Sequence, residues 1–252
     1  MRTKIIIFLI LYTSINSCAS EKRSEGLTAN KERNDSTIKI PAAYYGYWIS
    51  ENYLKDLKAT KSTKKAQELG RDDIIRIYDV NTIMRMNLHE GAAENKLQMT
   101  NINTGMIVDP VSNKFYNDIE FSSNKLTLDG VSYIKIAGGD DYKKIYDLIN
   151  KIIIAGKYQI DGKLVEFLDN GLIKGLDSIK SYTLNLDYGD AGMQYDKIYL
   201  QFNNEKEERA YIYEINNNAL SIIEIKCEEK DPEDDWCLVI DKGTTKYKLT
   251  KK

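Results

Sequence analysis

From Ile74 onward apolar residues recur at every second position, in short runs separated by hairpin chemistry. A period of two places one face of a strand against a core, and short gaps between runs favour antiparallel neighbours. Ile75 and Ile77 alternate with charged residues; Met84, Met86 and Leu88 share the next face, with Arg85, Asn87 and His89 on the opposite, polar one. Leu97 and Met99, then Phe115, Ile119 and Phe121, then Leu126 and Leu128 continue the pattern. Asp129-Gly130 offers two residues that tolerate positive φ, as a tight hairpin requires, before the next run at 131–136. The rhythm returns later in the chain. Strands are expected at 153–160 and 164–168 around the turn Asp161-Gly162, and Asn170-Gly171 marks another turn. Tyr182, Leu184 and Leu186 alternate, as do Ile198, Leu200 and Phe202, and Tyr211, Tyr213 and Ile215. Apolar residues at 220, 222, 223 and 225 slip in phase, which indicates a bulge or a strand buried on both faces.

Two stretches change to helical spacing. Ser50 is a good N-cap for a segment carrying Tyr53, Leu54, Leu57, Ala66 and Leu69, with Gly70 as a stop. Thr60–Thr63 interrupts it, so one helix or two short ones fit equally, and the segment reads as a cap on a barrel mouth. Residues 139–152 carry Tyr142, Ile145, Tyr146, Ile149 and Ile152 at spacings of three and four behind Asp140 or Asp141 as cap. This is the expected helical connector between a first β-domain at 44–138 and a second at 153–252.

The amino terminus carries an address. Arg2 and Lys4 precede an apolar run from Ile5 to Leu11, and the segment closes Ile15-Asn16-Ser17-Cys18. This layout is that of a secretory signal peptide over residues 1–17, and the run is too short to span a bilayer. The ending resembles the lipobox of bacterial lipoproteins. That resemblance implies acylation of Cys18 and anchoring to membrane lipid in the cell envelope; Ala19, in place of aspartate, implies the outer membrane. An ordinary cleaved leader, with Cys18 pairing elsewhere, is the alternative. Residues 19–43 are polar and aperiodic, a tether with a reach of about 25–30 Å.

A weak internal repeat bears on the architecture. Gly46-Tyr47-Trp48 matches Gly156-Lys157-Tyr158, and the strand pair at 118–128 matches the pair at 213–222. At these points the chain resembles the lipocalin-like (calycin) barrels of exported lipoproteins, in which a Gly-x-Trp motif opens the first strand and plugs the barrel floor. The expected fold is therefore mainly β: two consecutive antiparallel lipocalin-like barrels, with a short helical insertion after the first strand and a helical connector. One larger barrel or a sandwich pair is the alternative.

Composition excludes more than it selects. Losing Arg2 and Lys4 with the leader moves the net charge from −2 to −4, without the basic footprint nucleic acid requires. One histidine, His89, excludes three-histidine metal centres, and His89-Glu90 lacks a second ligand at zincin spacing. The acidic run from Glu228 to Asp235 lacks the spacing and central glycine of a calcium loop and reads as a solvated hairpin tip. Cys227 and Cys237 bracket it; in an oxidising compartment they read as a disulfide worth about 2.7 kcal/mol of loop-closure entropy, with two free thiols as the alternative.

No cofactor, metal or enzymatic motif is expected. Tyr199, Tyr211 and Tyr213 are the candidate lining of a cavity for a small apolar or amphipathic ligand. The competing expectation is an envelope-protein partner bound through the outer surface, around Trp236, with both barrels filled. A hydrolase with clustered carboxylates ranks behind both.

Overall fold

A computed structural model describes residues 38–67, 71–78, 81–88, 91–188, 194–232 and 237–252, which fall in one compact unit beginning at Thr37. The leader, Cys18, most of the tether, Leu69, Gly70, His89, Glu90 and Trp236 lie outside the described residues.

The first eight strands close into an antiparallel barrel. They are β1 (Gly46–Ser50), β2 (Ile74–Ile77), β3 (Thr82–Asn87), β4 (Gly91–Met99), β5 (Thr104–Val108), β6 (Phe115–Ser122), β7 (Lys125–Leu128) and β8 (Val131–Lys135). Each pairs with the next in sequence, and β8 returns to β1 through Trp48↔Lys135 and Ser50↔Tyr133. Between β1 and β2 the chain forms two helices, α1 (Glu51–Thr60) and α2 (Thr63–Ala66), of which the first is capped by the Ser50 hydroxyl accepting from the Tyr53 N–H. Lys61, in the left-handed region at φ 53°, ends α1.

Helix α3 (Lys143–Ile153) leads to the second eight strands. These are β9 (Gly156–Ile160), β10 (Lys163–Phe167), β11 (Ile173–Lys174), β12 (Ile179–Leu184), β13 (Lys197–Phe202), β14 (Glu208–Asn216), β15 (Ala219–Lys230) and β16 (Cys237–Lys251). First and last strands again pair, through Thr250↔Gln159. The sheet is nearly closed: β11 and β12 meet only at the isolated bridge Leu172↔Ser181. The expected mainly-β pair of eight-stranded antiparallel barrels is the observed architecture.

The repeat has a physical basis. Trp48 and Tyr158 occupy the same place on the first strand of each barrel, both buried, each behind a glycine with positive φ. The Trp48 indole N–H donates to the Tyr44 carbonyl at 3.0 Å, and the Tyr158 hydroxyl to the Ile154 carbonyl at 2.7 Å, in both cases four residues upstream. The matched strand pairs are the sixth and seventh of each barrel. The phase slip near residue 223 is a β-bulge in the β15–β16 ladder.

Two readings need correction. The interior of the first barrel holds Trp48, Ile75, Ile77, Ile83, Leu97, Ile107 and Ile119. The face of β3 that points into it is therefore Ile83, Arg85 and Asn87, since Ile75 pairs with Arg85 and Ile77 with Ile83. Met84, Met86 and Leu88 face outward, against a second core. Strand β3 is apolar on its outer face because that wall is covered, so alternation alone marks the wrong side as interior. Strand β1 is likewise buried at every position. The second correction is to the partition at 139–152. Tyr47, Ile49, Tyr53, Leu54, Leu57 and Ala66 from the first segment share one core with Ile145, Ile149, Val165, Phe167, Leu220 and Leu249 from the later one. The helices do not link independent bodies; they are packed between the outer wall of one barrel and the interior of the other.

Candidate functional site

The helical stripe of α3 divides its labour. Ile145, Ile149 and Ile153 are fully buried in the shared core, whereas Tyr142, 39% exposed, and Tyr146 line a cleft. This cleft, of about 380 Å3, lies between the outer face of β3 (Met86, Leu88), Ala92, and the segment from Thr183 to Asp187 with Tyr199. A second hollow of about 350 Å3 adjoins it, sharing Tyr142, Tyr146 and Thr183 and reaching Asn150, Gly171 and Tyr182. Tyr142 and Tyr146 meet edge to face at 5.7 Å, and Tyr142 leans on Tyr47 at the same distance. Burial raises the Tyr142 hydroxyl to about 12, so it stays a neutral donor at physiological pH. Burial and then the Asp187 carboxylate raise Tyr146. Such a lining, apolar with a few polar groups at the margin, is that of small-molecule sites.

The three tyrosines expected to line one cavity do not converge. Tyr211 and Tyr213 point into the second barrel with Ile198 and Leu200. Tyr199 is out of phase with those residues and faces the cleft on the outside. The second barrel's interior is packed with Tyr158, Val165, Phe167, Tyr182, Tyr211, Tyr213, Leu220 and Leu249. Tyr158 and Phe167 meet edge to face at 5.5 Å, and Phe167 and Tyr182 at 5.3 Å. The cleft residues Met86, Leu88, Tyr142 and Tyr146 carry a sequence signal, regular spacing, but regular spacing reads first as core.

Tyr213 belongs instead to a clamp that ties α2 to the second barrel. Asp196 accepts from the Ser62 hydroxyl at 2.5 Å, the Lys64 N–H at 3.0 Å, the Thr63 hydroxyl at 3.2 Å and the Tyr213 hydroxyl at 3.4 Å. Tyr188 joins at 3.3 Å. Burial, then Asp196, pushes both tyrosine hydroxyls far above their usual range. A carboxylate accepting from this many donors ties the two segments together.

The polar side of β3 is held by an ion pair and a chain of hydrogen bonds. Arg85 pairs with Asp72 and donates to Asn117 at 3.0 Å, and Asn117 donates to Asp129. The Tyr133 hydroxyl donates to the Asp72 carbonyl at 2.8 Å. Cys227 and Cys237 form a disulfide, with Cα atoms 5.7 Å apart, on the exposed far part of the β15–β16 ribbon. Glu228 and Glu229 beside it are exposed. Among the described residues no group of three His, Cys, Asp or Glu side chains is placed to hold a metal ion, and no helix is long and apolar enough to cross a membrane. No family model, no curated protein and no solved structure matches the chain.

Proposed function

We propose that this is an exported, non-enzymatic lipoprotein, held at the cell envelope by acyl chains on Cys18, that binds a small amphipathic ligand in the cleft between its barrels. The cleft carries the reading. It is of ligand size, and its aromatic and aliphatic lining of Tyr142, Tyr146, Tyr199, Met86 and Leu88 is edged by Asn87, Thr183 and Asn185. The described side chains inside both barrels pack into buried cores, which favours the groove outside over a lipocalin-type cavity. The leader ending in Ser17-Cys18 supports the anchor: two or more acyl chains hold a protein at a membrane without a spanning helix.

Native mass spectrometry of the protein purified from its source tests both parts. The expected spectrum has an acylated amino terminus at Cys18 and a co-purifying small molecule that Tyr146→Ala releases. An unmodified amino terminus overturns the anchor; a ligand retained by Tyr146→Ala overturns the cleft. A second reading, docking of an envelope protein, has one observation in its favour: Leu238 and Val239 are 37% and 41% exposed near the tip of the ribbon.

A further inference from the structure

Aromatic rings and a single kind of charge meet in the cleft. Tyr142 and Tyr146 are four residues apart on α3, so both rings project from one side of the helix. They stand at 75° to each other with centroids 5.7 Å apart, and an edge-to-face pair of this kind leaves a corner bounded by the faces of both rings. Tyr142 is 39% exposed, and Tyr146 and Tyr199 are half-buried, so a ligand entering the cleft reaches all three. Asp187, exposed, stands at the rim. Burial and then its carboxylate raise Tyr146; burial, Glu208 and then the same carboxylate raise Tyr199. Its negative charge is thus within electrostatic reach of both rings.

Positive charge is missing from the same place. Among the described residues that line the cleft there is no lysine or arginine. Lys143, at the adjoining hollow, is paired with Asp147 at 2.6 Å, as is Lys144 at 3.2 Å. Elsewhere the chain covers tyrosine faces with its own cations. Arg76 stands 5.1 Å from the centre of the Tyr47 ring and 4.3 Å from that of Tyr78, and Lys251 stands 5.8 Å from that of Tyr158. Among the described residues no lysine or arginine stands over Tyr142, Tyr146 or Tyr199. The electron-rich face of a tyrosine attracts a cation, more strongly as water is excluded, and a carboxylate nearby adds to the attraction.

We infer that the cleft takes an organic ammonium cation, its charged head in the corner of Tyr142 and Tyr146 with Asp187 at the rim, and its alkyl body against Leu88 and Ala92. An alkylated head suits the corner better than a bare one. Ring faces offer area and negative potential but no hydrogen-bond acceptor, so a head that has no N–H groups to desolvate loses least on entry. The described lining also has no basic side chain to meet a phosphate, which favours a free cation over a lipid headgroup carrying the same ammonium. This ligand class rests on the cleft being the binding site.

Three probes of one shape separate charge from area: choline, 3,3-dimethylbutan-1-ol, in which carbon replaces the nitrogen, and 3,3-dimethylbutanoate. Each is titrated into the isotope-labelled full-length chain, and affinity is read from amide chemical shifts. Choline should bind about tenfold more tightly than the alcohol, the size of a partly desolvated cation–π contact, and the butanoate more weakly than the alcohol. Tyr146→Leu keeps apolar area and should erase the advantage of choline, whereas Tyr146→Phe keeps the ring and should preserve most of it. Asp187→Asn should weaken choline several-fold and flatten its dependence on salt. Glycerophosphocholine should bind more weakly than choline; tighter binding would assign the head to a lipid and overturn the free cation. Equal affinity for choline and alcohol, or tightest binding of the butanoate, overturns the inference and leaves the cleft standing. If none of the three shifts Thr183–Asp187, both fall.

Discussion

Removing the Asp196 carboxylate should loosen the attachment of α1–α2 to the second barrel, and the effect can be sized from the contacts. Among the described residues its Oδ2 accepts from Ser62, whereas Oδ1 takes the Lys64 N–H, Thr63, Tyr188 and Tyr213. Ser62, Thr63 and Tyr213 are 4%, 0% and 2% exposed, so donors freed by Asp196→Ala lose a strong acceptor and find only the water of the small polar pocket of about 200 Å3 beside Asp196. Leaving two or three buried neutral donors without their charged acceptor costs about 3–5 kcal/mol in all. For a domain of this size each kcal/mol lowers Tm by about 2–4 °C, so Asp196→Ala should melt some 6–20 °C below the parent in calorimetry. Asp196→Asn retains Oδ1 and gives Ser62 a donor in place of an acceptor, which its hydroxyl can turn to meet. The loss there should be about 1–2 kcal/mol, the charge component alone. The order is the test: Ala well below Asn, Asn below parent. Equal melting of parent and Asp196→Ala would refute a clamp.

Further outcomes follow from the same geometry. Burial raises Tyr142 and Tyr158 to about 12, against about 10 for an unfolded tyrosine, so the unfolded chain loses these protons first. Stability should thus be intact below pH 10 and fall as pH rises from about 10 to 12, and absorbance at alkaline pH should show a set of tyrosines that ionise only as the protein unfolds. Trp48→Ala removes a fully buried ring and its bond to Tyr44 and should destabilise by about 3–5 kcal/mol, read from urea unfolding. Reducing Cys227–Cys237 should speed amide exchange at Leu238–Ile240, because that part of the ribbon is largely exposed, while exchange at Leu220 and Ile222 stays unchanged.

Much of the fold was legible because the hairpins are local. Asp129-Gly130 and Asp161-Gly162 both adopt positive φ at the two turn positions, the conformation that their sequence offers at least strain. Alternation in β7 and β13 reports burial on one face, which is what a period of two measures. It failed at β3, where both faces are covered and the apolar Met84–Met86–Leu88 set belongs to the shared core. The same sharing hid the joint core from a segment-by-segment reading, since Leu57 and Leu249 join one core only through the tertiary fold. The separation of Tyr199 from Tyr211 and Tyr213 was present in the phase of Ile198 and Leu200. The cleft was not legible, because its lining is assembled from β3, α3, β12 and β13, and no local pattern joins them.

The location of binding is tested most directly by amide chemical-shift mapping on isotope-labelled protein with a panel of small amphipathic probes. Binding in the cleft predicts that bound probes shift Thr183 through Asp187 together with Tyr142 and Tyr146. Shifts confined to the barrel interior around Val165, Tyr211 and Leu220, or to Leu238 and Val239 on the ribbon, would contradict it.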